Sequence, residues 1–243
     1  MNDKNSKSDD HTRNINRQAC DNDDFSSYDI KTAYQDLNSG IEDLQLVAIN
    51  FFLRALDSDK NKDIIDNYQA NSILYLKEIS QYGSTDEIQS LALICISLFY
   101  KYKGLEVSII NDPFYIQFLI KEKLMSSIPE ADAVLHILSV IADEEEDSIG
   151  IILELSFFDL VPELPPETEY GELIDIIVKQ KANELPDIDK VVSLLPIMLD
   201  SQNPNNVCHA LKCIEIFVTM DWDCFDFDGF HSGFPQFLLS DDE

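Results

Sequence analysis

Basic side chains are scarce in this sequence: seventeen Lys and Arg stand against 46 Asp and Glu, leaving a net charge of −29. Such a field repels nucleic-acid phosphates and anionic membrane surfaces and favours basic partners. The plainer account is that the acid keeps the protein soluble and monomeric. Glycine is scarce as well. The seven glycines form neither a Gly-x-Gly-x-x-Gly fingerprint nor a Walker loop, and Gly-x-Ser-x-Gly and His-Glu-x-x-His are also missing. These absences leave no residue to nominate for catalysis and no cofactor to expect. No apolar run approaches the ~18–20 residues of a membrane span, and the first residues, MNDKNSKSDDHTRNINRQ, hold no apolar stretch of the kind a signal peptide needs. A cytoplasmic or nuclear setting is the expectation. The five cysteines suit it as reduced thiols, being odd in number and without framework spacing.

What is present is enough apolar material for a core, 45% of the chain. Residues 1–24 are polar and rich in Asn, Asp, Lys and Ser. They can bury too little to offset the entropy of ordering and are expected to form a disordered tail. From Phe25 onward, apolar residues recur at helical rather than alternating spacing, which predicts one all-helical domain over residues 25–243.

The spacing also repeats. Five segments align on Leu44, Ile88, Ala131, Tyr170 and Val207, at steps of 44, 43, 39 and 37 residues. Three residues on stand Val47, Leu91, Val134, Leu173 and Ala210; four on stand Ala48, Ala92, Leu135, Ile174 and Leu211. Seven on stand Phe51, Cys95, Leu138, Ile177 and Ile214; eleven on stand Ala55, Phe99, Ala142, Lys181 and Val218. Offsets of 0, 3, 4, 7 and 11 share one helix face, because about 3.6 residues complete a turn. One such stripe is ordinary. Its return at near-constant intervals predicts units that bury their faces against one another. A second element follows each stripe: IIDNYQANSILYLKEI from Ile64, SIINDPFYIQFLIKEKL from Ser108, IGIILELSFFDLVPEL from Ile149, IDKVVSLLPIML from Ile188 and CFDFDGFHSGFPQFLL from Cys224. Each reads as a short helix, a corner and a longer helix, with Asn111-Asp112-Pro113 and Ser232-Gly233 as turn signals.

Three helices per unit, the third with an Ala-centred stripe, resembles the armadillo repeat family. The segments that carry the resemblance are EDLQLVAINFFLRAL from Glu42, DEIQSLALICISLFY from Asp86 and FHSGFPQFLLSDD from Phe230. It covers roughly residues 40–243 and rests on pattern, so HEAT-like repeats and an irregular helical bundle remain alternatives. The resemblance implies a right-handed α-solenoid of about five repeats. It also implies a protein-binding scaffold or adaptor whose third helices line a groove. A structural subunit of a larger complex is the second expectation.

In that family an importin-alpha-like groove uses Trp and Asn ladders, at the sixth and tenth offsets of this register. Here those offsets hold Asn50, Ile94, Ile137, Ile176 and Cys213, and then Arg54, Leu98, Ile141, Gln180 and Phe217. With both ladders missing, and only Arg13 and Arg17 in the N-terminal tail, a nuclear-import receptor is disfavoured. The expected groove is apolar. Its candidate partner-binding residues are Asn50, Arg54, Ile94, Leu98, Ile137, Ile141 and Phe217, set against the alternative that the apolar ones are core.

Two clusters remain. Asp143-Glu144-Glu145-Glu146-Asp147 falls where one helix should end and the next begin. It is either a solvated loop or a docking site for a Lys/Arg-rich segment, helped by Asp221, Asp223, Asp226 and Asp228, whereas an amphipathic segment is the ligand expected of the apolar groove. Cys208, His209, Cys213, Cys224 and His231 lack the close pairs that zinc requires. Cys208 and Cys213, five apart on one helix, should diverge by about 140°, so buried structural thiols are expected instead of a metal site. The sequence leaves oligomeric state open, including whether Phe234, Phe237 and Leu238 cap the last unit or an open end pairs with another chain.

Overall fold

The computed structural model describes residues 29–57, 69–103, 107–182, 184–185 and 188–220. Among the described residues every regular element is helical and no strand occurs, so the protein is all-α. The expected tail over residues 1–24 and the expected element from Cys224 lie outside the described residues. The chain divides into two compact units, Met1–Leu105 and Glu106–Glu243.

The first unit holds α1 (Ile30–Leu37), α2 (Glu42–Asp57), α3 (Gln69–Tyr82) and α4 (Asp86–Lys103). Asp29 starts α1: its carboxylate accepts from Thr32 N and Thr32 Oγ1, each at 2.8 Å, satisfying a donor the first turn would otherwise orphan. Those bonds, the backbone one foremost, hold the Asp29 carboxyl below its ordinary range. Gly40, at φ +68, makes the corner between α1 and α2 in a region a side chain enters only at a cost. Helix α1 packs on α2 and α3, and α4 packs on both α2 and α3. The core lies where α2 meets α4. Ala48, Ile49 and Phe52 are fully buried there with Ala92, Ile96 and Phe99, and the Phe52 and Phe99 rings sit 5.6 Å apart, tilted.

The second unit opens with a 3-10 turn (Val107–Ile109), then α5 (Pro113–Phe118), which runs into a π turn (Leu119–Lys123). Next come α6 (Ile128–Glu144), α7 (Glu146–Glu154), α8 (Phe157–Leu160), a 3-10 turn (Val161–Glu163), α9 (Gly171–Lys181), α10 (Ile188–Leu199) and α11 (Pro204–Thr219). The Asn111-Asp112-Pro113 signal acts as its chemistry requires. Asp112 accepts from Phe114 N at 3.0 Å and Pro113 fills the first helical position, where a missing N–H costs nothing. Asn203 and Pro204 repeat the device at α11. Helix α9 packs between α6 and α11, α7 packs on α5 and α6, and α10 packs on α8 and α11.

The five aligned stripes fall on α2, α4, α6, α9 and α11. Within the units, consecutive stripe helices pack on each other: α2 on α4, α6 on α9 and α9 on α11. Equivalent residues even make equivalent bonds. Gln45 and Gln89, each one residue after the alignment point, donate to the carbonyl at the end of the preceding helix. Gln45 Nε2 reaches Leu37 O at 3.1 Å and Gln89 Nε2 reaches Gly83 O at 2.8 Å.

The buried face departs from the expected stripe in the last helix. Leu211 and Val218, expected to pack inward, are 49% and 53% exposed, while Cys213 and Phe217 are fully buried. The reason is geometric. A helix gripped by α9 on one side and α10 on another buries an arc set by those two neighbours rather than by its own hydrophobic stripe.

Candidate interaction surface

The seven candidate groove residues divide by burial. Ile137, Ile141 and Phe217 have no exposed surface, so they present nothing to a ligand and are core residues. Helix α6 is packed by α7, α9, the π turn and the first 3-10 turn, which covers its sixth and tenth offsets as well as its stripe. Ile94 and Leu98, on α4, are half-buried. Asn50 and Arg54 are exposed on α2, and Asn50 Nδ2 donates to Leu46 O of its own helix at 2.9 Å. Offsets six and ten are exposed in α2 and half-buried in α4 of the first unit; in the second they are buried in α6 and α11 and half-buried in α9, at Ile176 and Gln180.

The acidic run is exposed at all five positions, Asp143, Glu144, Glu145, Glu146 and Asp147. It spans the junction where α6 ends at Glu144 and α7 begins at Glu146. The end of α6 is a poor place for carboxylates, because its last carbonyls carry partial negative charge. Two side chains from α9 offset this. Gln180 Nε2 donates to Ala142 O at 3.0 Å and to Asp143 O at 3.2 Å, and Lys181 Nζ pairs with Glu146. That bond, first among its causes, raises the Lys181 ammonium above its ordinary range. Glu146 is thus partly engaged, and the other four carboxylates face solvent. The proposed helpers Asp221, Asp223, Asp226 and Asp228 lie outside the described residues.

The histidine–cysteine cluster resolves into a histidine–carboxylate contact and two unlike thiols. His209 Nδ1 lies 2.9 Å from Asp175 Oδ2, with Lys212 Nζ 3.7 Å from the same oxygen. Cys208 is exposed, whereas Cys213 is buried. Burial first, and the Asp175 charge second, push the Cys213 thiol up to about 12. A thiol held neutral in this way is a packing group rather than a nucleophile. Among the described residues no three His, Cys, Asp or Glu side chains come together as a metal site; Cys224 and His231 lie outside them. No described helix is long and apolar enough to cross a membrane.

Polar rungs join α9 and α11 near their starts. Asn206 Oδ1 accepts from Gly171 N at 2.8 Å, and Asn206 Nδ2 donates to Thr168 O at 2.8 Å. Asn203 Nδ2 donates to Glu167 O at 3.0 Å. From α6, Asp132 Oδ1 accepts from Glu169 N at 2.8 Å. These bonds tie the segment before α9 to the neighbouring helices on both sides.

One feature of the first unit has no counterpart in the sequence's periodicity. A cleft of about 430 Å³ opens where α1 and α3 end, lined among others by Glu42, Tyr75, Glu78 and Tyr82. Its residues come from helix ends some forty positions apart, and no stripe marks them.

In comparison with known proteins, no family model, curated sequence or solved structure matches the chain.

Proposed function

We propose that this chain is a non-enzymatic interaction scaffold of the cytoplasm or nucleus that holds a basic segment of another protein against its acidic surface. In this reading the stacked stripe helices belong to a right-handed solenoid of about five armadillo-like repeats. The observation that carries it is the acidic run. Five carboxylates stand exposed at one helix junction, on a chain of net charge −29, beside bonds from Gln180 and Lys181 that hold the junction in place. Exposed charge of one sign speeds capture of an oppositely charged segment and gives binding a steep salt dependence. The apolar groove takes no part, since Ile137, Ile141 and Phe217 are core.

The test is fluorescence anisotropy of a labelled Lys/Arg-rich peptide against the full chain, over a range of salt concentrations. The variant is Asp143→Asn, Glu144→Gln, Glu145→Gln and Asp147→Asn together, with Glu146 kept for Lys181. The variant should bind more weakly at low salt and lose affinity less steeply as salt rises. Equal affinity and equal salt slope for the two proteins would remove the proposal.

A further inference from the structure

The cleft in the first unit has the chemistry of a cation site. Glu42 and Glu78 line it with Tyr75 and Tyr82, and among the described residues no Lys, Arg or His does. Two helix ends meet it: α1 finishes at Leu37 and α3 at Tyr82, and Leu37, Asn38, Tyr82 and Gly83 all lie in the lining. The last carbonyls of a helix carry partial negative charge, which a basic residue in the final turn commonly answers. Neither helix has one. The opposite, positive end of α2 reaches the same cleft at Glu42, whose carboxylate offsets it.

Both lips are held rather than loose. Gln45 ties the end of α1 and Gln89 ties the turn after α3, while Thr85 Oγ1 donates to Glu42 across the two at 3.4 Å. Tyr75 is steadied by Tyr34, whose hydroxyl is 3.5 Å from its own. Tyr82 stands 79% exposed. An exposed aromatic ring beside carboxylates and helix carbonyls is poorly suited to water or to an anion. It suits a flat cation that can lie on a ring while its edge donates to oxygen.

We propose that this cleft receives an arginine side chain of a partner protein, with the guanidinium donating to Glu42 and Glu78 and stacked against Tyr82. Arginine is preferred to lysine because its planar fork pairs two oxygens at once and stacks on aromatic faces, while a lysine ammonium is a point charge with a tighter hydration shell. The assignment rests on the scaffold proposal and deepens it by adding a specific pocket to a general acidic field.

The experiment is an NMR titration of the isotopically labelled full chain with three blocked tripeptides, Gly-Arg-Gly, Gly-Lys-Gly and Gly-citrulline-Gly. The amides of Gly40, Gly83 and Ser84 report on the cleft. Saturable shifts there are expected with the arginine peptide, at least about threefold tighter than with the lysine peptide, and none with citrulline. Tyr82→Leu and Glu78→Gln, both at exposed positions, should each weaken arginine binding about threefold or more without altering the rest of the spectrum. Absence of saturable shifts at these amides overturns the proposal, and so does equal response to citrulline. If Arg13→Gln with Arg17→Gln moves the same amides in the peptide-free chain, the chain's own N-terminal segment occupies the cleft and the partner assignment falls. The acidic-run variant described above must leave this titration unchanged. The cleft and the acidic run therefore succeed or fail separately.

Discussion

Gly171 and Asn206 are closed onto each other at the start of two neighbouring helices. The Gly171 N–H donates to Asn206 Oδ1 at 2.8 Å, and a Cβ placed on Gly171 would lie 2.9 Å from Asn206 Cα and 3.0 Å from His209 Cβ. There is no room for a side chain, and the nearest obstacle, Asn206 Cα, is backbone. Gly171→Ala should therefore force α9 and α11 apart and cost about 1–3 kcal/mol. Asn206→Ala should cost a similar ~1–3 kcal/mol for a different reason, since it strands the buried Gly171 N–H and Thr168 carbonyl. Urea denaturation checks both. Because the two residues touch, the double variant should lose less than the sum of the singles, and strict additivity would refute the coupling.

The second prediction concerns Lys123 and Glu130, which are buried together with side chains 10% and 7% exposed. The π turn Leu119–Lys123 places this lysine inward, its Nζ 5.9 Å from the centre of the Phe118 ring and 3.4 Å from Glu130 Oε1. The approach is that of an ion pair off hydrogen-bonding geometry, so Oε1 makes no hydrogen bond. Glu130→Ala removes the buried carboxylate that faces the Lys123 ammonium and should cost about 3–5 kcal/mol. Replacing both, Lys123→Met with Glu130→Leu, should recover most of that loss, because an apolar pair needs no desolvation of charge. A double variant as unstable as the single would show that the pair itself contributes net stability.

The sequence carried the repeating stripes and the corners with clear chemistry. Stripe helices sit over the alignment points Leu44, Ile88, Ala131 and Val207, and Tyr170 immediately precedes α9. The acidic run does mark a helix junction, and Asp112-Pro113 does start a helix. What periodicity could not convey is which arc of each helix meets a neighbour. Phe217 reads as a flank residue of α11 and is buried, whereas Leu211 reads as core and is half exposed, because contact with both α9 and α10 rotates the buried arc. The cleft was equally hidden. Glu42 and Tyr82 are forty residues apart in sequence, and nothing local to either signals that two helix ends bring them to one cavity.

Gln45 and Gln89 supply a test of repetition at the level of single bonds. Both are half-buried and both cap the end of the preceding helix from equivalent positions. Gln45→Ala and Gln89→Ala should each cost about 1 kcal/mol, the ordinary net worth of one such bond. Glutamate at either place should do worse than alanine, since a carboxylate would face a carbonyl it cannot donate to. Thermal unfolding of the four single variants gives the comparison. Glutamate outperforming alanine at either site would contradict the capping role.

The last prediction uses the buried Cys213 thiol, held up to about 12 against an ordinary value of 9.0. Burial is the main cause and the negative Asp175 the next, with Lys212 acting weakly the other way. An acid raised on folding keeps its proton in the native state after the unfolded chain has lost it. The unfolded state is then favoured as pH rises, so the stability is whole below about pH 9 and falls through the interval up to the folded value. The slope for one proton is about 1.4 kcal/mol per pH unit. The buried Cys95 thiol, raised by desolvation, adds a slope of the same sign. The Lys181 ammonium, also raised, loses its contribution only as pH climbs past its ordinary 10.5. Measured between about pH 8 and pH 10 by urea denaturation, wild type should therefore lose roughly 1 kcal/mol more than Cys213→Ala. The variant starts lower at neutral pH, having lost the packed sulfur, so the comparison is between slopes and not between intercepts. Parallel slopes would mean that the Cys213 thiol is accessible to ionise in the folded protein, and its placement in the core of α11 would be wrong.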